Sequence, residues 1–286
     1  MLPSQLVTTD WLAAHLDRPE LRILDCSVVM GMTAEGAPSF VAARDAWQQG
    51  HIPGSVFVDV LAELSDKSAS LPMMMPPAVE FAATMAGLGV GAGTAVVLYD
   101  RTNHGWAARV WWMLRVAGFD AAAVLDGGWQ KWAAEGRQTS TETRQFPRGD
   151  FVASPRPELL ASKDRVLAAL AARKTRIVNA LSPESFRGAA PTRLPRAGRI
   201  AGSCNVHCDA LIDPAAKTYL PRAELRERFA RAGALDGEGV ITYCGAGIAA
   251  SSDAFALTLL GVPNVAVYDG SLAEWTADPS LPMETG

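Results

Sequence analysis

The stretch GVITYCGAGIAASSDAFALTLLG, Gly239–Gly261, changes its hydrophobic pattern part-way along. Gly239–Tyr243 is short and rich in β-branched residues, the pattern of a strand covered on both faces. Residues 251–260 read as a helix, with Gly261 as its stop. Between them lie Cys244 and a run of small residues, Gly245, Ala246, Gly247, Ala249 and Ala250, interrupted by Ile248. Strand, tight turn and helix make up part of a βαβ unit, which predicts an α/β fold built on a parallel sheet with helices on both faces.

The same order of segments occurs earlier in the chain. RILDCS (22–27) returns as RIVNAL (176–181), and GHIPGSVFVDVLAEL (50–64) as GRIAGSCNVHCDALI (198–212). GTAVVLYD (93–100) returns as GVITYC (239–244), and AAVLDGGWQKW (122–132) as VAVYDGSLAEW (265–275). Arg22 thus corresponds to Arg176, Asp100 to Cys244 and Trp132 to Trp275. A repeat this long is a duplicated domain and not a solenoid. The sequence divides into a first domain over 1–137, a linker over 138–157 rich in Thr, Arg, Pro and Ser, and a second domain over 158–286. Trp106, Trp111, Trp112, Trp129, Trp132 and Trp275 are spaced as core residues.

Composition narrows the function. With 286 residues, 49% hydrophobic and 20% charged, the chain can fold into two ordinary domains. A net charge of −4 without Lys/Arg clusters gives no footprint for nucleic acid or an anionic membrane surface, so small molecules are the expected partners. The N-terminal residues lack a signal-peptide pattern, and no apolar run reaches bilayer-spanning length, so a cytoplasmic location is expected. Cys26, Cys204, Cys208 and Cys244 are too few and scattered for a disulfide framework, and free thiols are expected. CNVHC, with Cys204, His207 and Cys208, lacks the fourth ligand of a zinc site and is read as structural.

Cys244 has two readings. One is a buried thiol that fills space. The other follows from its loop: small residues let the backbone curl and aim N–H groups at the sulfur, next to a helix N-terminus, which suits an anionic sulfur and leaves room for a second sulfur atom. In open α/β sheets ligands bind beyond the carboxyl ends of the strands, where this loop falls.

The ordered set HIPGS, YCGAG, a helix containing WW, LDGG and YDGS…EW resembles the tandem-domain rhodanese family of sulfurtransferases, and the resemblance covers nearly the whole chain. It implies two rhodanese-like domains with the reactive cysteine only in the second. A Cys-Gly start followed by uncharged residues is similar to the 3-mercaptopyruvate branch of that family. The resemblance implies that Arg187 and Arg196 in SFRGAAPTRLPRAGRIAGS grip the donor carboxylate, a role suited to planar guanidinium groups. Without it, those arginines read as solubilising residues of a surface loop.

The chain departs from that branch at three positions. Ala246 stands at the position of a serine, Leu61 at that of an aspartate and Met73 at that of a histidine, a set associated with proton handling. His104 is then the one histidine on a loop expected to face the site, although an ordinary surface histidine is the favoured reading; His51 is read as tethering its own loop. The expected function is transfer of sulfane sulfur from a small anionic donor, 3-mercaptopyruvate favoured, through a Cys244 persulfide to cyanide, a thiol or a thioredoxin-like acceptor. Gly245, Ala246, Gly247, Ile248 and Ala249 would line the sulfur, and no metal or organic cofactor is implied. A thiosulfate sulfurtransferase and a non-enzymatic persulfide carrier are the alternatives. A cysteine phosphatase is set aside because Ala250 stands where its phosphate-clamping arginine would be.

Overall fold

The computed structural model describes residues 2–32 and 38–286. The chain forms two compact units, the first comprising the chain up to Lys67, Met75–Pro155 and Asp213–Tyr219, the second Ser68–Met74, Arg156–Ile212 and Leu220–Gly286.

In the first unit the strands are β1 (Leu6–Val7), β2 (Leu21–Asp25), β3 (Val28–Met32), β4 (Pro38–Ala42), β5 (Ser55–Phe57), β6 (Ala95–Tyr99) and β7 (Ala122–Leu125). Its helices are α1 (Thr9–Ala13), α2 (Arg44–Gln49), α3 (Ala78–Gly87), α4 (Gly105–Val116) and α5 (Gly128–Ala134). Five strands pair in the order β1-β7-β6-β2-β5, all parallel, while β3 and β4 form a separate antiparallel hairpin.

The second unit contains β8 (Leu160–Ala161), β9 (Thr175–Asn179), β10 (Arg199–Ile200), β11 (Cys204–Asn205), β12 (Gly239–Tyr243), β13 (Val265–Tyr268) and β14 (Met283–Glu284), with helices α6 (Lys163–Ala172), α7 (Pro183–Phe186), α8 (Arg222–Arg231), α9 (Ile248–Leu259) and α10 (Ser271–Trp275). Its sheet runs β8-β13-β12-β9-β11, the order of the first sheet strand for strand. Consecutive residues of β12 are all buried, although their side chains alternate between faces, so both faces are covered. That burial explains why the strand reads as a continuous run and not as an alternating one.

The copies share internal bonds as well as topology. Tyr99 Oη lies 3.0 Å from Ser55 Oγ, and Tyr243 Oη lies 2.8 Å from Ser203 Oγ. Trp106, Trp111, Trp112, Trp132 and Trp275 are buried, and the indole N–H groups of Trp132 and Trp275 donate to the carbonyls of Gln138 and Pro282. Burial of such a ring stabilises by about 2–3 kcal/mol only when its polar atom is satisfied in this way.

The linker segment is an extended strap held to the first unit by separate anchors. Ser140 and His51 exchange backbone hydrogen bonds of 2.9 Å, Arg22 stacks on Phe146 at 4.0 Å, and Asp150 accepts from Ala92 N at 2.7 Å. Isolated anchors on an extended chain leave no periodic apolar pattern, which is why its packing was not visible in the sequence. His51 joins the strap to its own loop through the carbonyls of Glu142 and Trp47. No helix among the described residues is long and apolar enough to cross a membrane.

Candidate active site

Cys244 stands where β12 ends, with 3% of its surface exposed. Its backbone N–H donates to Ser271 Oγ at 3.1 Å, and its carbonyl accepts from Leu272 N at 3.0 Å. The next carbonyl, that of Gly245, accepts from Ala273 N at 2.9 Å. The start of α10 therefore pins the backbone on which the sulfur is carried.

Beyond Cys244 the chain turns sharply into α9. Gly247 caps that helix at φ 82°, in the left-handed region that costs an ordinary residue about 1–2 kcal/mol. Ser251 N closes the first turn on Gly247 O at 3.2 Å, and the backbone N–H groups of residues 245–250 find no acceptor among the described residues. These free donors, together with the positive end of a 12-residue helix, form a cradle for negative charge beside the sulfur.

The first unit shows what such a cradle binds. Asp100 follows β6 as Cys244 follows β12, and its carboxylate accepts from Thr102 N at 2.8 Å, Thr102 Oγ1 at 3.0 Å, His104 N at 3.2 Å, Trp106 N at 3.1 Å and Ala107 N at 3.0 Å. A carboxylate oxygen is two bonds from Cβ, as is the outer sulfur of a cysteine persulfide. The loop's own aspartate thus occupies the place a persulfide would take.

The residue after each anchor differs in the same sense. Arg101 fills the space beside Asp100: its guanidinium lies 3.5 Å from buried Asp25, reaches Gly50 O, and stacks 4.2 Å over Trp129. Burial pushes the Asp25 carboxyl up, with hydrogen bonds from Ser27 and the charge of Arg101 acting the other way. In the second unit Gly245 stands at that position, and a Cβ built on it would meet nothing within 4 Å. Space next to Cys244 is therefore open where space next to Asp100 is filled.

Ser271 is a positioning residue the sequence reading overlooked. It adopts φ 48°, donates to Tyr268 O at 2.8 Å and accepts from Cys244 N. Its counterpart Gly128 adopts φ 50° without a side chain. DGS against DGG was the available signal: a serine held in a glycine conformation because its hydroxyl holds the cysteine backbone.

The two arginines expected at the substrate differ in how far the chain itself occupies them. Arg196 donates from Nε to Thr276 O at 3.2 Å, from Nη1 to Leu281 O at 2.9 Å, and from Nη2 to Trp275 O at 2.9 Å and to Asp278 O. Four of the five N–H donors of a guanidinium are thereby directed at carbonyls of the chain following α10. Arg187 caps the end of α7, half-exposed, with Glu184 at 3.6 Å. A cavity of about 50 Å³ lined by Leu181, Ser185, Thr192, Arg196 and Leu272 adjoins the cysteine loop through Leu272.

His104 is a buried histidine and not a surface one. It is 2% exposed, adopts φ 66°, stacks 5.2 Å from the ring of Tyr219, and its Nε2 donates to Lys217 O at 2.5 Å. Ala246 places no hydroxyl in the Cys244 loop, and Leu61 carries no acid at its position. The four cysteines are free thiols. His207, Cys208 and Asp209 bring three ligand atoms within 4.8 Å of one another, with no fourth among the described residues.

The rhodanese-like domain family matches residues 8–135 and again 162–278. The chain belongs to the rhodanese-like family. Among its relatives, this rhodanese-like chain is 34% identical over 287 residues to the 3-mercaptopyruvate sulfurtransferase of Escherichia coli K12, covering 99% of each. It is 33% identical over 281 residues to the thiosulfate sulfurtransferase of Rattus norvegicus, covering 94% of this chain and 91% of that one. The crystal structure of SseA from Escherichia coli, a 3-mercaptopyruvate enzyme, superposes with a TM-score of 0.82 at 32% identity, over 94% of this rhodanese-like chain and 98% of that one.

Proposed function

We propose that Cys244 carries sulfur as a persulfide between 3-mercaptopyruvate and a thiophilic acceptor. Family membership makes the chain a sulfurtransferase. The observation that carries the assignment of Cys244 is the contrast between two cradles of one design, one closed by Asp100 and one open at Cys244.

In the first half-reaction the Cys244 thiolate attacks the sulfur of the donor. An S–S bond forms, the donor C–S bond breaks, and pyruvate leaves as its enolate, which takes the proton of the donor's own thiol or one from water. No enzyme acid is needed at Ala246. The persulfide anion is held by the N–H groups around residues 245–249, and Gly245 leaves room for the donor. In the second half-reaction cyanide, a thiol or a thioredoxin-like dithiol attacks the outer sulfur and regenerates the thiolate.

Arg187 is the cation proposed to orient the anionic donor. Its pairing with Glu184 is exposed, and such a pair is worth well under about 1 kcal/mol, so it yields readily to a carboxylate. Free thiols fit a reducing compartment, and the cytoplasm is the proposed location. One observation favours thiosulfate as a second reading: sulfite leaves without needing a proton, and Ala246 and Leu61 supply none.

Initial rates of sulfur transfer to cyanide from each donor distinguish these readings. Faster turnover with 3-mercaptopyruvate, abolished in Cys244→Ser and with KM raised in Arg187→Ala, is the expected result. Preference for thiosulfate assigns the second reading. Sulfur uptake at Cys244 without turnover from either donor would mean a carrier.

A further inference from the structure

The mechanism leaves a second buried thiol unused. Cys208 is 8% exposed and opens a short 3-10 helix, Cys208–Leu211. Its backbone N–H donates to Ala180 O at 3.0 Å, and Ala180 N donates to Tyr243 O at 2.9 Å. In a continued parallel ladder the partner of Ala180 O would be the N–H of Gly245, two residues beyond Tyr243. Cys208 has taken that slot, so the chain between β11 and the 3-10 helix folds over the end of β9 to lie beside Cys244.

Further contacts mark the neighbourhood. Cys208 Sγ donates to Asp209 Oδ1 at 3.6 Å. Asp253 of α9 is wholly buried, and neither carboxyl oxygen has a partner. Burial is the main influence that pushes the Cys208 thiol up, reinforced by Asp253, Asp209 and Cys244. Asp253 acts on Cys204 as well.

We infer that Cys208 is a resolving thiol that discharges the Cys244 persulfide as sulfide. The inference rests on the persulfide reading above. The sulfur of Cys208 attacks Sγ of Cys244, the inner sulfur; a Cys208–Cys244 bond forms and the bond to the outer sulfur breaks. The outer sulfur leaves with the electron pair of that bond and takes the proton of Cys208, so the persulfide anion and the thiol become a disulfide and hydrosulfide. Two thiol sulfurs are oxidised, one sulfane sulfur is reduced, and no outside oxidant enters. A dithiol acceptor then returns both cysteines to thiols by ordinary exchange. The proton of Cys208 passes to the outer sulfur that the attack expels, so the step requires a loaded Cys244.

The resulting activity is release of sulfide from a loaded chain that has no acceptor. The test uses the full reduced chain, loaded with sodium tetrasulfide, freed of excess reagent and left without thiol or cyanide. Sulfide is trapped with monobromobimane while intact and peptide masses are followed. The wild type is expected to lose its added sulfur, release about one equivalent of sulfide, and yield a peptide pair joined through Cys208 and Cys244. Cys208→Ser and Cys208→Ala are expected to keep the added sulfur, release about ten-fold less sulfide, and still deliver it to added cyanide. Retention of the persulfide in the wild type for as long as in the variants, or sulfide release without the Cys208–Cys244 link, would overturn the inference while leaving the persulfide reading intact. Failure of any form to gain sulfur at Cys244 would overturn both. The cross-link is read in the wild type itself, so it stands whether or not the variants fold.

Discussion

Asp100 and Cys244 end equivalent strands in two copies of one fold, and the loops that follow them have opposite fates. After Asp100, Arg101 fills the neighbouring space and the loop amides are spent on the aspartate's own carboxylate. After Cys244, Gly245 leaves that space open and the amides are unspent. The duplicated scaffold is thus an anion receptor in both copies. One copy has closed it on its own carboxylate, and on the proposed reading the other stays open for an anion that comes and goes. An open cradle costs stability, because buried donors without acceptors cost about 1–3 kcal/mol each when water cannot reach them.

The sharpest way to break this comparison is to convert one loop into the other. Cys244→Asp should abolish sulfur transfer and also raise thermal stability, since a carboxylate two bonds from Cβ reaches the free amides. A gain of about 1–3 kcal/mol, read from chemical denaturation, is expected. A stability loss would mean that the second loop is not shaped as the first. The reverse change, Asp100→Ala, frees four backbone donors and should cost about 3 kcal/mol or more in the same experiment, with kcat affected only through the folded fraction.

Smaller effects concern the clamp from α10. Ser271→Gly relieves a left-handed backbone worth about 1–2 kcal/mol and removes one hydrogen bond worth about 1 kcal/mol, so stability should hardly move. Its kcat/KM should fall about ten-fold, because Cys244 loses its anchor. A purely structural serine would change stability and leave the rate alone.

The subtlest effect is that of Asp253, whose carboxyl is pushed well above its ordinary 3.8 by burial. Below that value the folded and unfolded chains both carry the proton. As pH rises beyond it the unfolded chain ionises first, so this group removes stability progressively towards neutral pH. Asp253→Asn should therefore raise the melting temperature at pH 7, with a gain that shrinks towards pH 4. A gain independent of pH would mean that Asp253 is ionised in the folded chain.

Much of this organisation was legible in the sequence, for physical reasons. Strands buried on both faces and helices with a 3.6-residue period leave strong patterns, and the repetition of RILDCS as RIVNAL doubles each of them. Cys244 stands out because glycines and alanines fill five of the six positions after it. The fate of Arg196 was not legible: in sequence it is one arginine in a polar loop, and the four carbonyls it binds lie about eighty residues further along. His104 misled similarly, because its burial depends on Lys217 and Tyr219 from a segment more than a hundred residues away. Cys208 reads as structural in the sequence, because its bond to Ala180 comes from a segment 28 residues away.

The central claim is that sulfur is accepted at the open cradle and nowhere else. The direct measurement exposes the chain briefly to excess 3-mercaptopyruvate, alkylates it at once and locates the added sulfur by peptide mass. The account predicts one extra sulfur on the peptide carrying Cys244, absent from those carrying Cys26, Cys204 and Cys208, and lost in Cys244→Ser. Extra sulfur on another cysteine, or uptake unchanged in Cys244→Ser, would contradict it.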